Sequence, residues 1–508
     1  MIRFRPAALV SALVMSALPA GAQETASAPL TLEEAVRQAL ASNYTIQVES
    51  YSVPIAGAGV LAAYSRFDPR LSLTYSDGTN EQPERRASET GEPLPPTVFK
   101  FQGVDGELAG ELPLGLGYRL SLSSRNDRTT YNDFDDDFTS FAGISAQIPL
   151  LRNLGGAQTV TAIRIAKTDR SISEWEFRST LINTITDVSY AYSELLFARQ
   201  YLTIARRLSE NTSALHRENQ ERFRVGAMSD YDVLSAQARV ANRAEGVLRA
   251  EGALRVAENR LKQLISADTT AAILARPVEL AEPAAPVEVI VSVEADLPRA
   301  LEQRPDFQQA RLAVQRNDLD YRLYRNQLLP AVDVFGSYGY NGVGSAFGPS
   351  REMIRDREHP NYVGGVSVSL PLASAAERAR ARGARLARER AEVSLRQLEQ
   401  DIVINIGNAA DDIATTWQRV LAARMSRQLS QRTLAAELKR LRAGTGSTFI
   451  VLQQQDILSG DEIREARTLA DYRNALAEYD RQLGRTLERF ALEVKGSEGM
   501  REQGVPHS

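Results

Sequence analysis

The side chains able to do chemistry are few and scattered. His216, His359 and His507 are the only histidines among 508 residues, and there is no cysteine. A transition-metal centre needs clustered imidazole and thiolate donors, so this inventory argues against one. Asp133-Phe134-Asp135-Asp136-Asp137 gathers carboxylates as a calcium loop does, but glycine is missing at its sixth position. Ile144 stands where the bidentate glutamate would fall, so an exposed acidic loop is the simpler reading. Gly342-Val343-Gly344 does not open a helix after a βαβ-type strand and is no dinucleotide fingerprint. No nucleophile is paired with a base. The chain is expected to be no enzyme and to carry neither catalytic residues, metal nor cofactor.

What the sequence does contain is a duplication. Ala39-Leu40 and Pro69 return as Ala300-Leu301 and Pro330, displaced by 261 positions. Phe141–Leu150 returns as Val363–Leu372 at displacement 222, and Arg222–Leu234 as Arg440–Leu452 at 218. A period this long marks a doubled half-molecule, not a solenoid. Most of the length difference falls between Pro69 and Pro149, where the first half carries about 39 extra residues.

The N-terminus has the form of an export signal. Arg3 and Arg5 are followed by apolar Ala7–Leu18 and then Ala20-Gly21-Ala22, so residues 1–22 are expected to be removed before Gln23. Loss of Arg3 and Arg5 takes the formal charge from −4 to −6. Nothing in that balance suggests nucleic acid. Beyond the signal no run of apolar residues is long enough for a helical membrane span. A membrane passage, if there is one, must use alternating β-strands.

Prolines divide the chain into elements. None lies between Pro149 and Pro277, or between Pro371 and Pro506. Ala157–Val225, 69 residues, also lacks glycine, and one helix of that length would reach roughly 100 Å. Leu181, Ile185, Val188, Tyr192, Leu195 and Leu202 follow a coiled-coil spacing. Val403, Ile406, Ala410, Ile413 and Val420 answer at displacement 218. Glycine turns at Val225–Ser229 and Ala443–Ser447 lead into returning helices at about 230–266 and 448–492, with Ser229 or Asp230 and Ser447 or Thr448 as caps.

Arg70–Ser76, Tyr118–Ser124, Ser140–Ile148, Ala331–Tyr340 and Tyr362–Leu370 alternate like strands, separated by polar loops at Asp77–Pro96 and Arg125–Asp137. Val98–Gly110 is expected either to add a hairpin or to fold over the mouth. One chain has too few strands for a wide barrel. Because lipid does not tolerate open edges, several chains would have to share one.

Leu30-Thr31-Leu32-Glu33-Glu34-Ala35, Ala39-Leu40, Asn43, Phe67-Asp68-Pro69, Pro149-Leu150-Leu151-Arg152 and the two turns together resemble the TolC family of outer-membrane channels. The match runs from about residue 30 to 490. The resemblance implies a mixed fold: long α-helical coiled-coil hairpins form a periplasmic tunnel below a shared membrane β-barrel. Twelve strands, four per chain, would come from a homotrimer. It also implies an outer-membrane exit duct of a tripartite efflux system, working with a periplasmic adaptor and an inner-membrane RND or ABC transporter. Type I protein secretion is the alternative, and a non-pore periplasmic scaffold is the alternative of another class.

On this reading residues 23–276 form the first repeat, with strands at about 70–149 and a helical hairpin at 153–266. Residues 277–298 are a proline-rich linker. The second repeat, 299–492, has strands at about 331–371 and a hairpin at 374–492, before a disordered tail at 493–508. Arg224, Gly226 and Ser229, with Arg442, Gly444 and Ser447, map to the family's adaptor-contacting tip turns. Glycine lets backbone approach a partner, and arginine offers a planar fork of donors. Some relatives narrow the tip with aspartates on the helix after the second turn. Here Ile450 and Gln453 stand in that stretch, and Asp232 occurs only in the first repeat. Arg378, Arg380, Arg382, Arg385, Arg388 and Arg390 form the densest basic run. A solvated helix face is its plain meaning. Its place beside the expected inner membrane surface suggests contacts to outer-membrane phospholipid head groups.

Overall fold

The computed structural model describes residues 29–83, 85–86, 91, 93–94, 96–226, 229–370 and 372–492. The expected signal 1–22, the tail 493–508, His507, Pro371 and the turn residues Ala227 and Met228 lie outside them. Two compact units are present, each assembled from both sequence halves. The first takes the described parts of Met1–Val53, Ser173–Gln309 and Leu395–Ser508; the second is Pro54–Ile172 with Ala310–Ser394.

Helices occupy most of the chain. They are α1 (Leu32–Ser42), α2 (Tyr44–Glu49), α3 (Ser52–Tyr64), α4 (Ala157–Arg224), α5 (Asp230–Ile265), α6 (Ala272–Ala275), α7 (Val293–Gln303), α8 (Pro305–Asn326), α9 (Phe347–Asp356), α10 (Ala375–Arg442), α11 (Thr448–Gln482) and α12 (Thr486–Arg489). Both α4 and α10 run for 68 residues, close to the breaker-free length expected for the first.

In the first unit the α4 stripe is buried as its spacing predicts, from Leu181 through Ile185, Val188, Tyr192 and Leu195 to Leu202. It packs with Ala35, Val36, Ala39, Leu261 and Leu264. The α10 stripe departs from strict repetition. Ile402, Ile406, Ala409, Ile413, Trp417 and Val420 are buried, whereas Val403 is 38% exposed. Ile406, Ile413 and Val420 fall where expected, so the stripe shifts by one position only at Ile402 and Ala409, and Trp417 joins it with its ring 5.1 Å from that of Tyr472 on α11.

Two boundaries also differ from expectation. Helix α11 stops at Gln482, ten residues short of 492, where the Arg304 Nη1 takes the Gln482 carbonyl at 2.8 Å. Pro298, expected in the linker, lies inside α7. The extended segment before α7 is held by two buried tyrosines. Tyr192 Oη donates toward the carbonyls of Leu30 (3.0 Å) and Ala281 (3.2 Å). Tyr472 Oη donates to Val287 O at 2.8 Å and accepts from Val289 N–H at 3.2 Å.

The second unit holds the sheet. Its long strands are β1 (Arg70–Gln82), β4 (Thr97–Glu111), β5 (Gly117–Thr129), β6 (Asp137–Pro149), β7 (Ala331–Gly344) and β8 (His359–Ser369). A two-residue ladder, β2 (Arg85–Arg86) with β3 (Pro93–Leu94), extends the first hairpin. The long strands pair consecutively and antiparallel in the order β1-β4-β5-β6-β7-β8. The sheet thus has six strands where the resemblance implied four. The extra residues of the first half form part of the sheet. The stretches expected as polar loops continue β1 to Gln82 and β5 to Thr129, because backbone pairing persists after the apolar alternation ends.

Candidate functional site

The two glycine turns repeat one local solution. Gly226 and Gly444 both sit at φ +79°, in the left-handed region, and a Cβ at either would meet nothing within 4 Å. Conformation, not crowding, therefore calls for glycine. Gly226 N–H donates to Phe223 O at 2.9 Å, and Gly444 N–H to Leu441 O at 3.1 Å, closing α4 and α10. Ser229 and Ser447 are the caps of the next helices, accepting from Asp232 N–H and Phe449 N–H, each at 3.3 Å. Arg224 and Arg442 are exposed, and Arg224 reaches Glu221 at 3.1 Å. Each turn thus offers an arginine, a side-chain-free bend and a capped helix start.

Asp232 has local work to do. Its carboxylate accepts from Ser229 Oγ at 2.5 Å, completing the cap of α5. Ile450 is 38% exposed and Gln453 is exposed, while Val451 and Leu452 between them are buried. Close to the turns lies a contact with no local sequence signal. Arg239 and Arg243 of α5 both pair with Asp456 of α11, Arg239 at 3.2 Å, and Arg239 also lies over the Phe449 ring at 5.7 Å. More than 200 residues separate these partners, so only the fold brings them together.

Further along the helices, Tyr190 Oη donates to Glu478 at 2.7 Å, and Arg481 and Gln482 bond the same carboxylate. Burial pushes Glu478 up, but the bonds from Arg481, Tyr190 and Gln482 outweigh it and hold the carboxyl below the usual range. Burial and the bond to Glu478 push the Tyr190 hydroxyl well above its ordinary value.

The arginine run divides. Arg388 is occupied, pairing with Asp318 (3.4 Å) and Glu392 (3.3 Å) over the Tyr321 ring. Arg378, Arg380, Arg382 and Arg385 are exposed on α10, with Arg378 donating to Ala373 O at 2.7 Å and Arg385 near Glu389 at 3.6 Å. Among the described residues no group of three or more His, Cys, Asp or Glu is arranged to hold a metal. Asp136 of the acidic loop is engaged by Asn126 (2.7 Å) and Arg128 (3.0 Å).

Register gives the sheet two chemically distinct faces. One residue from each strand forms a continuous row, Leu71–Leu108–Leu120–Ile144–Tyr338–Tyr362. Leu73, Tyr75, Val104, Leu122, Val334, Val366 and Val368 share that face and are exposed. The other face carries Ser72, Thr74, Asp105, Glu107, Arg119, Ser121, Arg125, Ser145, Ser337 and Ser367. At the end where β6 meets β7, α9 covers part of the first face, with Ser350 Oγ bonding Ser140 Oγ at 2.7 Å and Gly342 O at 3.1 Å. Among the described residues no helix is long and apolar enough to cross a membrane.

Long breaker-free helices, matched glycine turns and a sheet apolar on one face fit a channel protein of the outer membrane. The chain belongs to the outer membrane efflux protein family, whose model matches residues 35–267 and 297–485. Its fold is similar to the CmeC outer membrane channel of Campylobacter jejuni (TM-score 0.67, 17% identity, covering 90% of this chain and 86% of that one). VceC of Vibrio cholerae is similar at TM-score 0.65 and 14% identity, covering 89% and 96%. The open MtrE channel of Neisseria gonorrhoeae gives 0.62 and 15%, covering 90% and 89%. No curated protein matches the chain by sequence. The family places this protein in the outer membrane as an efflux channel rather than an enzyme.

Proposed function

We propose that three copies of this chain form the passive exit duct of a tripartite efflux system, receiving small molecules through a periplasmic adaptor from an inner-membrane RND or ABC transporter. The observation that carries the reading is the pair of matched turns, both with glycine at φ +79°, at the ends of two 68-residue helices. Repeated in three chains, they would present six docking points of two alternating kinds, Arg224, Gly226 and Ser229 and then Arg442, Gly444 and Ser447. The exposed apolar row meets lipid and the opposite polar face lines the exit. Arg378, Arg380, Arg382 and Arg385, exposed on α10, would meet anionic head groups at the inner surface of the outer membrane. A scaffold without a pore gives no reason for an exposed apolar face six strands wide.

The test is purification from outer membranes followed by planar-bilayer recording. A heat-modifiable trimer that conducts is expected, and Arg224→Glu with Arg442→Glu should reduce adaptor co-purification without changing conductance. A soluble, non-conducting monomer would reject the duct. Unchanged adaptor binding would remove the turns from it.

A further inference from the structure

We infer that the membrane barrel of this protein is built from eighteen strands, six from each of three copies, closed by pairing the free edge of β1 with the free edge of β8 in the next copy. The inference rests on the trimeric duct proposed above and concerns the width of its wall.

The strands of the sheet do not all serve the same connections. Helix α3 leads to β1, β6 leads to α4, α8 leads to β7, and β8 leads to α10. Strands β4 and β5 have no helix at their shared end and are joined by the turn Leu112–Leu116. That turn is built into the helix end of the sheet. Leu112 N–H donates to Leu116 O at 2.8 Å. A Cβ on Gly115 would lie 2.7 Å from Gly156 N, and one on Gly156 would lie 2.8 Å from Pro113 O. Beside it, Glu111 accepts from Thr159 at 3.2 Å and pairs with Arg66 at 3.3 Å. The hairpin therefore reaches the same end of the sheet as the other strands.

It also carries the same surface. Leu108 and Leu120 stand in the apolar row between Leu71 and Ile144, and Val104 and Leu122 extend that face. A flap over the mouth would have no need of a lipid-facing row in register with its neighbours. On the other face, the hairpin contributes the ion pair Arg119–Glu107 at 3.0 Å, and Arg125 with Asp127 at 2.7 Å, to the lumen. Over Val104–Leu108 and Tyr118–Leu122 both added strands are thus apolar outside and polar inside, as a membrane wall requires. Beyond that band Lys100, Gln102, Ser124 and Asn126 carry polar groups on the outer face.

Closure follows from the edges. Among the described residues β1 and β8 each pair on one side only, and open edges do not persist in lipid. The chain cannot close on itself, because even about eight strands enclose only enough space for side chains. With six antiparallel strands, β1 and β8 run in opposite directions, so β8 of one copy can join β1 of a second in the same antiparallel pattern. Eighteen strands instead of twelve widen the ring about 1.5-fold, since diameter grows nearly in proportion to strand number.

Strand counting in an electron cryomicroscopy map of the full-length protein in lipid nanodiscs tests this directly. A three-fold particle with eighteen strands is expected. A three-fold particle with twelve overturns this inference and leaves the trimeric duct standing; a two-fold or monomeric particle overturns both. Because the chain has no cysteine, introduced pairs give an independent readout in intact outer membranes. Ser72→Cys or Thr74→Cys, combined with Ser367→Cys or Ser369→Cys, should yield disulfide-linked dimers and trimers. Linking instead through Ser121→Cys or Ser123→Cys with Ser367→Cys would make β5 the edge and overturn the eighteen-strand ring.

Discussion

Gly226 and Gly444 show how much a single backbone angle determines. At φ +79° an L side chain costs roughly 1–2 kcal/mol even in open space. Gly226→Ala with Gly444→Ala should therefore leave the trimer assembled and slightly less heat-resistant, while adaptor capture falls; full adaptor binding would contradict the role given to the turns. Asp232 makes a different point. Its carboxylate is engaged in capping α5, and Ile450 and Gln453 bring no charge to the second repeat. Block by multivalent cations should accordingly be weaker than in relatives with aspartates after the second turn. Complete loss of single-channel current in low micromolar trivalent cation would show that another carboxylate ring closes the tip.

Between elements, the Tyr190–Glu478–Arg481 group joins α4 to α11. Glu478 is held below its ordinary pKa, so the folded state binds its proton less readily than the unfolded chain does. The stabilisation is present above the unfolded value, about 4.3, and is lost as pH falls through the folded value. Glu478→Gln should cost roughly 1 kcal/mol near neutrality, allowing for screening at a half-exposed site. In thermal melts of the purified trimer the gap between variant and parent should close in acid; a gap independent of pH would assign the effect to packing. The α10 stripe shows why element faces are harder to read than element lengths. A displaced copy of the α4 stripe selects Val403, but Ile402 is the residue buried in the second core cluster. Length depends on local breakers, whereas phase depends on the partner.

For the whole molecule, the hairpin of β4 and β5 should be separable from assembly. Deleting residues 83–132 would leave Gln82 followed by Asp133, so that β1 meets β6 through a four-residue loop. An even number of strands is removed, which preserves antiparallel closure. A heat-modifiable trimer with twelve strands and a narrower outer ring is expected by cryomicroscopy. Failure of that variant to insert, beside an eighteen-strand parent, would show that the wide ring is needed for assembly itself.

Much of this architecture was legible in the residues because it is local or repeated. Missing prolines and glycines marked the long helices, glycine-serine pairs marked their turns, and the duplication tied the two halves together. Alternation located five of the six long strands. The sixth, β4, was ambiguous because its alternation changes phase at Gly103: Phe99 and Phe101 lie on one face, whereas Val104 and Leu108 lie on the other, with Lys100 and Gln102. Whether such a segment is wall or loop depends on backbone partners distant in sequence, and only pairing in three dimensions supplies them. The same holds for the Asp456 clasp, whose arginines lie more than 200 residues away. Local conformational preference thus determined the helices and their bends; the number of strands, their register and the face each helix buries were decided by tertiary contact, because those depend on which surfaces meet.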